Sequence, residues 1–411
     1  MFGDLLVRLI GKKGFIMQVE QIYQIVNGIT TEVLGEGQVV NEDLSNVVEI
    51  GETIANLGSA AFENYTRSLI DHIGRVVFVN RPYAGSAPSV LMDAWEYGSI
   101  LEKIQAEMPI AQENDSWNLQ DGQTYSQDTF RKPVVSAKFY NSKTTFETQM
   151  SFAERQVKSA FDSVGQLNAF FSMIDTAIYN GQTVKTDSLI MRVINNAIAN
   201  TINDEFASGT GYDSGSGVRA VNLLYLYNQA HPNATLANLG AAMASPEFIR
   251  FSAYTMSLYQ DRMRKLSTLF NIGGKARFTP ADRLHFIMLN DFAKAADVYN
   301  QSDTFHEQFT ALPNAETVPF WQGSGTGYGI SDVSSINTTV ATPSGDDATI
   351  SATGIIGVMF DRDALGVCNQ DRRVTTHYNA RAEFFNNWYK VDAQYFNDFN
   401  ENVVVFYAAA S

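Results

Sequence analysis

Between residues 151 and 181 apolar side chains recur at helical spacing, with Val157, Ala160, Phe161, Val164, Leu167, Phe171, Ile174 and Ile178 on one stripe. No other segment constrains the fold as strongly. Ser151 and Glu154 stand at capping-box spacing, and Gly181 is placed to end the helix. At 1.5 Å per residue, such a helix would span roughly 40 Å. A second amphipathic helix is predicted from Thr186 through Leu189, Val193, Ile194, Ala197, Ile198 and Ile202. Both stripes read as packing faces rather than ligand boxes, so the rest of the chain must supply their apolar partners.

Upstream, residues 17–80 read as mostly helical, with Val19, Ile22, Val26 and Ile29 on one face, a break at Gly35 and Gly37, and a short buried strand at 75–80. Residues 82–149 hold no sustained helical period apart from a short helix near 100–107. Their end is predicted to be a hairpin. Val135, Ala137 and Phe139 alternate with polar residues, Asn141 and Ser142 supply turn chemistry, and Phe146, Thr148 and Met150 alternate again. A segment this long is not an ordinary loop, and an isolated ribbon needs another surface to lean on.

Downstream, the glycine-rich tract 209–217 is the expected domain boundary and a candidate hinge. Helices are predicted at 218–229 and 246–265, a buried strand at 284–289, a loop-rich zone at 323–329, and Ser/Thr-rich strands up to 353. We read 210–353 as an inserted subdomain. A strand at 355–360 and a turn at 361–364 follow. Ten aromatic residues then fall between His377 and Tyr407, alternating with polar ones as strands packed on helices do.

A chain of 411 residues has room for about two to three domains. Its 45% hydrophobic content permits a substantial core, and only 18% of residues are charged, which suits large contact areas. No window approaches the length of an apolar membrane span, and Asp4 and Arg8 interrupt the opening segment. The expectation is a soluble, unexported protein, with Met17 an alternative start to Met1. The formal net charge of −15 argues against an extensive surface gripping nucleic acid, but not against a container that encloses it.

Sites for chemistry are not evident. The run 323–329 is glycine-rich but lacks the strand and helix that a dinucleotide loop requires, and reads as a surface loop. His72, His231, His285, His306 and His377 are widely separated, no G-x-S-x-G elbow occurs, and the single Cys368 reads as an inert thiol. No catalytic residue, cofactor or metal ligand is expected.

Three stretches carry a family resemblance: 62–79 (FENYTRSLIDHIGRVVFV), 151–181 with the helix after it, and 355–407, with TTHYNARAEFFNNWYKVDAQYF at its centre. In their order and spacing the chain resembles the major capsid proteins of tailed bacteriophages, especially of small podophages with protein-primed genomes. The resemblance implies an α+β tailed-phage capsid fold. Residues 1–44 would be an N-terminal arm, 45–81, 151–209 and 354–411 a peripheral domain with a spine helix, 82–150 an extended loop, and 210–353 an axial domain. It implies a homo-oligomer of pentamers and hexamers forming an icosahedral virion shell, assembled in the host cytoplasm around double-stranded DNA with no sequence-specific contact and no membrane. Neither an immunoglobulin-like decoration nor a charged scaffold domain is visible, so a separate scaffolding protein and a portal are the expected partners. Within the loop, Arg131, Lys132, Lys138 and Lys143 are the candidate contacts to carboxylates of an adjacent subunit. An encapsulin-like compartment and an enzyme with a scattered site are the alternatives.

Overall fold

The structure, a computed structural model, describes residues 23, 26–30, 40–55, 64–65, 68–69, 90–92, 101–106, 113–125, 130, 132, 134–160, 163–301, 315–322, 330–341 and 347–410. The strand expected at 75–80 and the glycine-rich run 323–329 lie outside them. The chain divides into two compact units: residues 1–85, 144–187 and 369–393 in the first, and 86–143, 188–368 and 394–411 in the second.

In the first unit the described part of the predicted helical stripe is buried, Phe161 lying outside the described residues. Leu167, Phe171, Ile174 and Ile178 are fully covered and join Phe152, Val157, Ile50, Leu44, Phe385 and Tyr389 in one core. Helix Val47–Ala55 contributes Val47 and Ile50 to that core. Strand Lys143–Ala153 pairs with Phe384–Asn397, which in turn pairs with Leu365–Asn379.

Two expectations about the helix are corrected. Ser151 lies within the strand and hydrogen-bonds Asn386, so it does not cap a helix; a short helix begins at Glu154 and ends at Ala160. The long helix then runs Val164–Glu205 without a break at Gly181, so the two predicted helices are one. Gly181 does not take the left-handed conformation that ends helices. Its missing side chain instead admits Thr148, whose Oγ1 would lie 3.1 Å from an added Cβ. The helix belongs to the first unit through Asp187 and to the second from Ser188.

The second unit is built on a five-stranded sheet in the order Ala220–Asn222, Val403–Tyr407, Ile355–Asp361, Leu284–Leu289 and Glu316–Val318. The three central strands are antiparallel and the two outer pairings parallel. Every residue of Ile355–Asp361 and Val403–Tyr407 is buried, the pattern of a sheet covered on both faces. Helices Leu223–Ala230, Pro246–Met263 and Asn290–Gln301 supply apolar residues to the same core. Their starts follow local chemistry: Asn222 accepts from the Tyr225 N–H, and Ser245 caps a helix whose first position is Pro246. Residues 218–222, expected to be helical, instead reach and form the edge strand.

The tract 209–217 is pinned by contacts within this unit. The Tyr212 carbonyl accepts from the Tyr407 hydroxyl at 2.8 Å and from Asn222 Nδ2 at 3.2 Å. Gly209 and Gly211 take positive φ, which accounts for glycine there. No helix among the described residues is long and apolar enough to cross a membrane.

Candidate inter-subunit contact surface

Within the second unit, strands Leu101–Ala106 and Val135–Tyr140 form a two-stranded antiparallel sheet with the register Leu101↔Tyr140 to Ala106↔Val135. Two expectations change here. The short helix near 100–107 is a strand. The predicted hairpin has its two strands but neither its turn nor its pairing: Val135–Tyr140 bonds to 101–106, while Lys143–Ala153 bonds to the aromatic strand Phe384–Asn397. The link between them, Asn141-Ser142, is held from outside, with Gln394 Nε2 donating to the Tyr140 carbonyl at 2.8 Å and the Tyr395 N–H to the Ser142 carbonyl at 3.1 Å.

Alternation gives this small sheet two unlike faces. On one, Lys103 and Lys138 are direct cross-strand partners. Like charges placed so should repel, but both ammonium groups converge on Asp398. Lys103 Nζ lies 2.8 Å from Oδ2 and Lys138 Nζ 3.0 Å from Oδ1. Lys103 also reaches Glu401 Oε1 at 2.8 Å. The Asp398 side chain has no exposed surface, whereas that of Lys138 is 40% exposed. Burial pushes the Asp398 carboxyl up, but the Lys103 and Lys138 ammonium groups and the Asn400 N–H outweigh it and hold the carboxyl below its usual range. Burial, followed by the charge of Asp398, raises the neighbouring Tyr140 phenol, which stays protonated.

The opposite face carries Ile104, Val135 and Phe139, which are 65%, 57% and 63% exposed. In the stretch of sequence that joins the two strands, Trp117, Leu119 and Phe130 are also exposed. The result is an apolar surface clasped to its own chain from behind by two lysines.

Of the cations singled out from the sequence, Lys138 joins the clasp on Asp398 of its own chain. Lys132 is exposed, Lys143 is exposed at the first position of its strand, and Arg131 lies outside the described residues. Lys103, Asp398 and Glu401 escaped sequence reasoning, because pairing 101–106 with 135–140 is what brings Lys103 opposite Lys138. Cys368 is buried. Among the described residues, no three His, Cys, Asp or Glu side chains are grouped so as to hold a metal ion.

Comparison with known proteins adds the family. The model of the Phi29-like phage major capsid protein family matches residues 26–407. Solved structures similar to the chain include the capsid of Staphylococcus phage Andhra, with 12% identity, a TM-score of 0.49, and 80% of this chain and 86% of that one covered. The capsid of cyanophage P-SCSP1u gives 11% identity and a TM-score of 0.43, with 79% and 87% covered. The mature capsid of bacteriophage PhiM1 gives 9% identity and a TM-score of 0.40, with 80% and 88% covered. No curated protein matches the chain significantly. With the family match running through both units, the chain belongs to the Phi29-like phage major capsid protein family.

Proposed function

We propose that copies of this chain close, as pentamers and hexamers, into the icosahedral shell around a double-stranded DNA phage genome. Membership of a major capsid family makes it a shell-forming structural protein of the virion; the finer reading concerns how the copies hold one another. In it, residues 82–150 form an arm laid over a neighbouring copy. Residues 45–81, 151–209 and 354–411 form a peripheral domain, 210–353 an axial domain, and 1–44 a further arm.

The observation that carries this reading is the exposed face of Ile104, Val135 and Phe139 on a sheet whose other face is already clasped. Burying such a side chain contributes roughly 2 kcal/mol. Heterologous contacts repeated around five-fold and six-fold axes close a shell, and many contacts per copy make release slow. Of the arm cations, Arg131 and Lys132 are those proposed to meet a neighbour's carboxylates; Lys138 is held by Asp398 of its own chain. Assembly takes place in the host cytoplasm with a separate scaffolding protein and a portal. DNA is enclosed without sequence-specific contact, in keeping with the net charge of −15.

The test is light scattering and negative-stain microscopy of the purified protein, expressed with its scaffolding protein. Megadalton particles with polygonal outlines are expected. The double variant Ile104→Ser, Phe139→Ser should keep the wild-type melting curve and lose the particles. Unchanged particle yield from that variant would remove the arm from the assembly.

A further inference from the structure

The protein is acidic as a whole, yet its charge is unevenly placed. Residues 262–283 hold six cations, Arg262, Arg264, Lys265, Lys275, Arg277 and Arg283, against the single Asp282, a balance of 6 − 1 = +5. Within the chain Arg277 is turned inward, 3.6 Å from Glu401, Arg283 pairs with Asp361 and Asp363, and Arg264 Nη1 lies 3.3 Å from the exposed Asp261 just before the segment. Arg262, Arg264 and Lys265 are exposed where helix Pro246–Met263 ends.

The segment is also a defined shape. Ser267 and Arg277 exchange both backbone hydrogen bonds at 2.9 Å, and the Thr279 N–H donates to the Met263 carbonyl at 2.8 Å. This pairing sets Leu266 against Phe278. Leu266, Leu269 and Phe278 are each more than half exposed. A duplex backbone would reward the cations and leave these three apolar side chains wet. An acidic protein surface with apolar residues among its carboxylates would satisfy both.

The chain carries such a surface. Between Lys13 and Arg67 there is no Lys or Arg, and there are eight carboxylates, from Glu20 to Glu63. In the described part of that stretch, Glu42 and Asp43 are exposed. Helix Val47–Ala55 buries Val47 and Ile50 while presenting Val48, Glu49 and Glu52 outward.

We propose that the basic, apolar finger of residues 262–283 is a docking surface for the acidic segment 42–55 of a second copy of this chain. The proposal rests on the shell reading and adds to it one heterologous contact and its polarity. Each exposed pair is weak alone, so the contact is salt-sensitive and acts through repetition.

The experiment is a charge swap in the full chain, read as the protein concentration at which half assembles. Arg264→Glu with Lys265→Glu should raise that concentration about tenfold with an unchanged melting curve, and Glu49→Lys with Glu52→Lys should do the same. Combining all four should restore assembly to within about threefold of wild type. In parallel, zero-length cross-linking of wild-type protein, in shells or in concentrated solution, should join Lys265 of one copy to Glu49 or Glu52 of another. Failure of wild-type protein to form particles would count against the shell reading, while the cross-link would still test the contact. Normal assembly by the reversed variants, loss of assembly without rescue, normal shells that retain less DNA, or no cross-link would each overturn the proposal.

Discussion

Asp398 shows how one buried carboxylate can organise an extended segment. Its two oxygens receive separate lysines from two strands, so neither oxygen lacks a donor and the cross-strand repulsion between Lys103 and Lys138 is offset. Removing one partner of a buried ionic group leaves the others uncompensated, which costs about 3 kcal/mol. Asp398→Asn is therefore expected to lower stability by about that amount at pH 7, measured by denaturant unfolding. The pH dependence follows from the direction of the shift. The folded carboxyl titrates below the unfolded value of about 3.9, so its contribution is present above that value and is lost as pH falls through the folded one. The gap between wild type and Asp398→Asn should accordingly narrow below about pH 4. A gap of constant size down to pH 2.5 would mean that the charge on Asp398 is not what holds the strands.

At the level of elements, Gly181 separates what a sequence can reveal from what it cannot. Leu167, Phe171, Ile174 and Ile178 announce a buried helix face through spacing alone, and the structure buries all four. Glycine is a good stop signal in isolation, but here it is a contact, made with Thr148 on a strand 33 residues earlier in sequence. That distinction is tertiary and leaves no local trace. The strands at 135–140 and 143–153 were legible from alternation in the same way. Their partners were not, because alternation tells which side chains share a face and not which strand lies alongside. Lys103 and Asp398 are 295 residues apart, and only the observed pairing brings them together. The glycine reading can be tested directly. Gly181→Ala gains roughly 0.8–1.0 kcal/mol of helix propensity, but its Cβ would sit 3.3 Å from Thr148 Cγ2, so in wild type the gain is cancelled or reversed. With Thr148→Ala, the nearest remaining atom is Cβ at 3.8 Å, an ordinary contact, and the gain should reappear. Denaturant unfolding of the four proteins should give a coupling of about 1 kcal/mol; equal effects of Gly181→Ala in both backgrounds would return the glycine to a merely tolerated position.

For the molecule as a whole, the proposed arm offers a way to separate folding from assembly. Among the described residues neither core takes a side chain from 107–134, and the lysines of the clasp, Lys103 and Lys138, lie outside that stretch, so its removal is expected to cost the subunit little stability. Ala106 and Val135 are register partners at the end of the small sheet, which places the ends of the excised segment side by side. Replacing 107–134 by Asn-Gly closes a two-residue hairpin there, a turn that suits the twist of an antiparallel pair. The shortened chain is expected to keep its clasp and its melting temperature within about 3 °C, since a short turn also lowers the entropy of closing the loop. It should not form shells, because Trp117, Leu119 and Phe130 leave with the excised stretch. Sedimentation velocity beside a thermal melt reads both properties in one preparation. A folded monomer confirms that the arm is an assembly element carried on a self-sufficient subunit. Closed particles would place the contacts that make the shell elsewhere on the two units, and an unfolded chain would show that 107–134 stabilises its own subunit.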